Sequence, residues 1–599
     1  MPSAYQHHRT RLRIEQTRLL AWGQKVGLLE ESLEEPSRFL EYNRNLVIDV
    51  LLEIQTTFKA CVKLGTKYDV LAPPKTTPPV DDLQKDRNPL LQKALAFLEK
   101  TPQLSARLQW AMVKQDSFKT LVDRLIGYND SIESILDKAA LDQLQSMQYQ
   151  TYMVMLQLTT KVDALHDLSR AMYIGAQEPH DHAAERLSRS STLVADQMEN
   201  RTGIARLADF KAQQTSLDVV SQGHDALFLD QDDLHLDSES ETRTKAIWKG
   251  RAVWIEWKEY VHDFDPKSTW NQTIRDRVRK LASLLGSKHK PTEFRAPMCL
   301  GYFDDIRSET ARYGFVYEIP RHDSPNVEIV SLRNKLRAPT RPSLTKRIEL
   351  ALAISKSLMY LHSVNWLHKG LRSDNILFFN VMSQSDCESV NLDYGSPTLS
   401  GFDYARPDLP EATSEPFTHN IEHDLYRHPR VLGHASSRSR KSDDIYSLGV
   451  MLVEIAYWQQ IEDIMQLSLQ GKGKSSRVRK IRERLLDSKE SYNATVQDRA
   501  GDIYAEVVRK CLTGGPEFGV SEDADETDPM VGVELQRCFI ENVVDKLASL
   551  RLWSASATRL YARIHDVSVA TFGVAPLSHL RCPVCSSFTR TPCSAGRRK

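Results

Sequence analysis

LHKGLRSDNILFF, Leu367–Phe379, lies between the clearest helical patterns beyond residue 345: RIELALAISKSLMYLHSV (347–364) before it and DDIYSLGVMLVEIAYW (443–458) after it. Two shorter polar-apolar stretches, LSGFDYARP (399–407) and DLYRHPRVL (424–432), separate it from the second helix. Working back toward the N-terminus, RYGFVYEIP (312–320) reads as a strand and IRDRVRKLASLLG (274–286) as an amphipathic helix. AVWIEWKEYV (252–261) alternates and is rich in Val, Ile, Trp and Tyr, the mark of a strand. A small strand-rich part followed by a larger helical part predicts a two-lobed α+β fold over residues 244–553.

In order, these stretches resemble the signature set of protein kinases. Leu367–Phe379 is similar to the catalytic loop H-R-D-L-x-x-x-N, and LSGFDYARP stands where the metal-binding D-F-G would be. DLYRHPRVL resembles the close of an activation segment, and Asp444 in SDDIYSLGVMLVEI takes the usual anchoring place of the helix that follows. Val253–Lys258 resembles the strand that carries the kinase lysine, which makes Lys258 the candidate for that role.

The resemblance carries the fold further than the chemistry. Phosphoryl transfer needs phosphates cradled, metal held and a hydroxyl oriented. At the catalytic-loop positions stand His368, Lys369 and Gly370, so the orienting aspartate is replaced by a residue without a side chain. At the metal position stand Gly401, Phe402 and Asp403, so one carboxylate is missing from the Mg²⁺ shell. Asp403 sits two residues on, about 6.5 Å along an extended chain, which is too far for a Mg²⁺–oxygen bond of about 2.1 Å without remodelling. The window where a Gly-rich phosphate loop belongs reads DLHLDSESETRTKA (233–246), acidic and without glycine. Near the place of the lysine's glutamate partner stand Asp276 and Arg277. Lys258 and Asn375 survive beside Asp374, and they are the expected nucleotide contacts if a nucleotide binds. Otherwise Lys258 runs its stem along the strand and Asn375 satisfies loop backbone. No intact catalytic set, no metal and no obligatory cofactor are expected; ATP bound without turnover is the one cofactor the surviving residues allow.

Residues 1–178 are helical in pattern. Leu12, Leu19, Trp22, Val26 and Leu29 form one stripe; Val47, Leu51, Ile54 and Phe58 a second; Phe118, Leu121, Leu125, Tyr128, Ile132 and Ile135 a third. Leu141–Leu168 reads as one further long helix, and the prolines of LAPPKTTPPVDD (71–82) break the series. Such stripes must bury against each other, which predicts an all-α bundle. RTRLRIEQTRLLAWGQKVGLLE (9–30) and LQWAMVKQDSFKTLVDRLIGYNDSIESIL (108–136) resemble segments of the HeLo domain of fungal prion-linked incompatibility proteins. In that family membrane toxicity depends on a hydrophobic helix ahead of this point, and the chain as given starts only a few residues before its arginine-rich helix.

Residues 179–243 read as a polar linker with one short helix near Arg201–Gln214, and His180 and His182 as solvated linker residues rather than metal ligands. Residues 554–599 read as a disordered tail, although Cys582, Cys585, Cys593 and His579 are ligand types that zinc takes.

Lys+Arg and Asp+Glu both number 79, so no global field draws the chain to nucleic acid or an anionic surface. No signal peptide and no run of 18 apolar residues is readable, and the 8 cysteines are scattered. These features predict a cytoplasmic protein, peripheral at a membrane if the bundle touches one. The function expected is that of a signalling pseudokinase joined to a cell-death or incompatibility-type bundle, working through protein partners. An ATP-dependent Ser/Thr kinase with displaced ligands and an oligomerising helical scaffold are the alternatives.

Overall fold

The computed structural model describes residues 3–25, a few positions between 50 and 57, 115–133, 138–177, 191–217, 227–236, 243–260, 270–288, 290–306, 311–320, 327–381, 392–408, 420–432, 438–467 and 478–551. The residues are mostly helical, with antiparallel sheets confined to the part after residue 233. The tail cysteines, His180, His182 and the prolines of 71–82 lie outside the described residues.

Among the described residues the N-terminal region contains α1 (Ser3–Lys25), α2 (Gln115–Glu133), α3 (Lys138–Leu158), α4 (Val162–Gln177) and α5 (Ser191–Leu217). Leu12, Trp22, Leu125, Ile132, Met155, Leu165 and Met172 are buried between them, as the stripes require. Val26, Leu29 and Ile135 lie beyond what is described of that core. A polar knot crosses it. Arg18, with its side chain 4% exposed, reaches Glu133 at 2.7 Å, Asp130 at 2.7 Å and Glu15 at 2.8 Å. Burial alone would lower the Arg18 pKa, but the three carboxylates raise it well above the ordinary value.

Two expectations are corrected here. The single helix over Leu141–Leu168 is two, α3 and α4, broken at Thr159–Lys161. Two adjacent β-branched threonines weaken the helix there, and the Thr159 hydroxyl bonds back to the Met155 carbonyl at 2.6 Å. The buried Lys211 ammonium then donates to the Leu156 and Gln157 carbonyls, both at 2.8 Å, at the end of α3. The segment 179–243 is more than a linker with a short helix: α5 is a 27-residue helix. Ile204, Ala205, Leu207, Ala208, Phe210 and Ala212 of α5 are buried, and the helix packs along α4.

After α5 comes a sheet of five strands: β1 (Leu234–Leu236), β2 (Arg243–Trp248), β3 (Arg251–Glu259), β4 (Cys299–Asp305) and β5 (Arg312–Glu318), in the order β1-β2-β3-β5-β4, all antiparallel. Lys249 and Gly250, with φ of 49° and 77°, make the tight β2–β3 turn. Helix α6 (Trp270–Leu285) packs on β4. Strand β6 (Val327–Ser331) leads into α7 (Leu332–Arg337), and α8 (Leu344–Ser363) ends at the two-residue β7 (Trp366–Leu367). Then follow β8 (Ile376–Val381), β9 (Thr398–Leu399), β10 (Arg406–Pro407), α9 (Lys441–Tyr457), α10 (Asp502–Thr513) and α11 (Pro529–Phe539). Leu448, Val450, Leu452 and Ile455 of α9 are 0% exposed, which makes it the central buried helix.

The bundle packs directly on the later elements. The Tyr149 hydroxyl on α3 meets that of Tyr360 on α8 at 2.9 Å. Phe210 of α5 packs edge-on against Phe294 with centroids 4.9 Å apart. At Gly532 of α11 an added Cβ would lie 3.0 Å from the side-chain amide nitrogen of Gln157 on α3.

Candidate functional site

The loop 367–379 is held from below by α9. Asp444, buried, accepts the backbone amides of His368 and Lys369, each at 2.8 Å, and pairs with His362 at 3.3 Å. Burial alone would raise its pKa, but the His362 and His368 bonds hold the carboxyl below its ordinary value. Lys369 sits at φ 61°, a left-handed conformation that this clamp sustains. Its ammonium lies 6.0 Å from the Tyr404 ring. The His368 ring is buried 4.6 Å from Phe402, and burial pushes its pKa down to about 4, which keeps it neutral.

Above this loop stands the sheet, and between them lies a compact polar cluster. The Asn375 side chain donates from Nδ2 to the Gly370 carbonyl at 2.6 Å. Its Oδ1 accepts from Arg243 at 2.7 Å, so both ends of the amide are engaged. Arg243, at the start of β2, also donates to Glu256 on β3 at 2.9 Å and to the Ser400 hydroxyl at 3.0 Å, with Asp374 at 3.5 Å. Glu256 uses its other oxygen to accept the Gly401 amide at 3.0 Å. Burial pushes the Glu256 carboxyl up, against the pull of Arg243 and that amide. One guanidinium therefore ties two strands of the sheet to the loop and to Ser400.

Glycine is required at both loop positions that lack an aspartate. A Cβ on Gly370 would lie 2.8 Å from the Gly401 carbonyl. A Cβ on Gly401 would lie 1.9 Å from Asn375 Nδ2, and Gly401 has φ +77°. The two loops have closed into the space that side chains would need.

Lys258 does not join this cluster. Its ammonium donates to the Asp403 carbonyl oxygen at 2.7 Å and lies 4.9 Å from the Tyr404 ring. Burial raises the Asp403 carboxyl, opposed by Arg372 and Lys258. Asp276 pairs with Arg279 on its own helix at 3.5 Å rather than with Lys258. Among the described residues no group of three or more His, Cys, Asp and Glu is arranged to hold a metal ion.

Sequence reasoning missed Arg243, Glu256 and Ser400. Arg243 is 13 residues from Glu256, 132 from Asn375 and 157 from Ser400, and it looked like the last residue of a polar linker. Glu256 was legible: it shares a strand face with Lys258 and occupies the fourth position of Val253-Trp254-Ile255-Glu256. Replacing Arg243 by methionine is expected to cost about 2–4 kcal/mol, because Glu256 is left as an uncompensated buried carboxylate. In a double-mutant cycle with Glu256→Gln, followed by urea unfolding, the combined loss should fall short of the sum by about 1–3 kcal/mol. Additive losses would show that the pair does not interact.

Residues 1–168 match the HeLo family, described as prion-inhibition and propagation. Residues 310–551 match a second family, described as a domain of unknown function, DUF7580. No curated protein matches the chain. The first match bears out the HeLo resemblance of the N-terminal helices and points to a regulatory protein of the fungal cell-death or incompatibility type. The second attaches no activity to the C-terminal region. No helix among the described residues is long and apolar enough to cross a membrane.

Proposed function

We propose that residues 244–553 form a protein kinase-like domain that does not transfer phosphate, and that it serves as the binding and regulatory half of a protein whose other half is the HeLo bundle. The observation that carries this reading is Arg243. In kinases the lysine of V-A-I-K reaches the nucleotide phosphates, and the D-F-G aspartate and catalytic-loop asparagine hold Mg²⁺. Here Val253-Trp254-Ile255-Glu256 gives glutamate in the lysine position, facing Gly401. The Arg243 guanidinium lies between Glu256 and Asn375, so a built-in cation stands where metal and phosphate charges would otherwise balance. Trp254 in the alanine position is 0% exposed and packs 4.8 Å from the Tyr317 ring, filling space that a methyl group would leave open.

The contacts from α3 to α8 and α11 support the second half of the reading. A domain with no chemistry to perform still presents a surface that holds the bundle, and the Tyr149–Tyr360 pair is part of it. Release of that surface by a partner is how such a protein would signal.

Thermal unfolding of the full chain with ATP, with and without Mg²⁺, tests the absence of nucleotide chemistry. A ligand at 100 times its Kd stabilises by about 2.7 kcal/mol, so a nucleotide-binding domain would shift by several degrees. The expected shift is under about 1 °C in both conditions. A Mg²⁺-dependent shift of several degrees would favour the kinase with displaced ligands and overturn the proposal.

A further inference from the structure

The C-terminal end of α9 gathers more positive charge than the helix needs. Arg347 donates from Nη1 to the Ala456 carbonyl at 2.8 Å and to that of Ile455 at 3.3 Å. Arg341 donates to the same Ala456 carbonyl at 3.2 Å. Arg499 donates to the Tyr457 carbonyl at 2.9 Å, with its guanidinium 4.5 Å from the Tyr457 ring centre. A helix C-terminus carries only about half a negative charge, yet three guanidinium groups converge on this one. Burial first, then repulsion from Arg341 and Arg499, brings Arg347 down to about 10. Burial and then Arg499 lower Arg341.

Beside these carbonyls lies a cavity of about 520 Å³, lined among others by Arg337, Arg341, Arg499, Tyr457, Trp458 and Asp463. Among the described residues Arg337, Arg341 and Arg499 form no ion pair. Asp463 is the one acid among the lining residues and is exposed, so the lining carries a net positive charge. Trp458 ends α9 in a left-handed conformation, φ 56°, and is only 4% exposed. Guanidinium groups gathered around a cavity without a counter-charge are the arrangement an anion completes.

We propose that this cavity binds a phosphate monoester. The dianion supplies three acceptor oxygens for the guanidinium donors that the helix end leaves over, in the fork geometry that arginine offers and lysine does not. The rings of Tyr457 and Trp458 form a wall for the organic part of the ester. The volume admits either a small phosphorylated metabolite or a phosphorylated side chain. The site shares no residue with the Arg243 cluster and stands whether or not the C-terminal domain binds nucleotide.

Isothermal titration calorimetry on the full chain, with inorganic phosphate, phosphotyrosine and glucose 6-phosphate as separate titrants, tests it. Saturable binding of an ester is expected, weakened about tenfold or more by Arg499→Gln and by Arg337→Gln. Arg499 also holds the end of α9, so its variant is checked for unchanged thermal unfolding. Arg337 is exposed and has no part in capping α9, so Arg337→Gln tests the site in an intact fold. Tighter binding of phosphotyrosine assigns a phosphorylated side chain as the ligand. Tighter binding of glucose 6-phosphate assigns a metabolite, and equal binding of all three assigns the phosphate group alone. No saturable heat up to about 10 mM of any titrant, or binding that both variants leave unchanged, overturns the proposal.

Discussion

Replacing Gly401 by aspartate, which restores the acid at the position marked by the kinase resemblance, is expected to destabilise the protein by about 3 kcal/mol or more and to create no metal site. Two costs combine. Gly401 has φ +77°, a conformation that L side chains rarely adopt. A Cβ there would also stand 1.9 Å from Asn375 Nδ2, whose amide is pinned at 2.6 Å to the Gly370 carbonyl and at 2.7 Å to Arg243. Neither the loop nor the amide can yield without breaking the cluster that joins sheet to loop. Urea unfolding measures the loss, and Gly401→Ala should reproduce most of it because the clash begins at Cβ. A Gly401→Asp variant as stable as the wild type, or one that binds Mg²⁺, would show that the loop is free to remodel around a side chain.

The second large effect is expected at Asp444. Changing it to asparagine keeps the shape but replaces an ionised acceptor with a neutral amide. The His368 and Lys369 amides, each at 2.8 Å, then lose part of their charge-assisted bonds, and His362 loses its ionised partner. A loss of about 3–5 kcal/mol is expected, since these groups are buried and cannot turn to water. The penalty should depend on pH in a definite sense. The folded-state pKa of Asp444 is depressed, so its contribution is complete above the ordinary carboxylate range and disappears as pH falls through the lower folded value. Unfolding curves at pH 7 and below about pH 4 should therefore show the gap between wild type and Asp444→Asn narrowing in acid. A gap that is constant with pH would mean that shape, not charge, holds the loop.

Much of the architecture is local enough to be read along the chain. The pattern in 347–364 appears as α8, that in 443–458 as α9, and the alternating run at 252–261 as β3, with shifts of a few residues at the ends. The misreadings have physical causes. Leu141–Leu168 keeps its apolar stripe across Thr159–Lys161, so periodicity alone does not show that the helix stops and Lys211 caps it. Helix α5 was legible only as a short helix near Arg201–Gln214, because its buried face of Ile204, Leu207 and Phe210 is built from few residues. At the candidate site the two glycines stood out, because the absence of a side chain is a property of one position. Arg243 did not, because its meaning depends on Glu256, Asn375 and Ser400 at once.

By itself the sequence determined the clearest helices and strands, the likeness of residues 1–168 to the HeLo family, and the lack of acids at 370 and 401, since periodicity and residue identity need no partner. Only the tertiary structure decided that Glu256 rather than Lys258 faces Gly401, that Arg243 fills the space between sheet and loop, and that α3 lies against α8 and α11. Each of these turns on strand register or on the packing of segments more than a hundred residues apart, and a desolvated charge takes its partner from whatever the fold brings within about 3 Å.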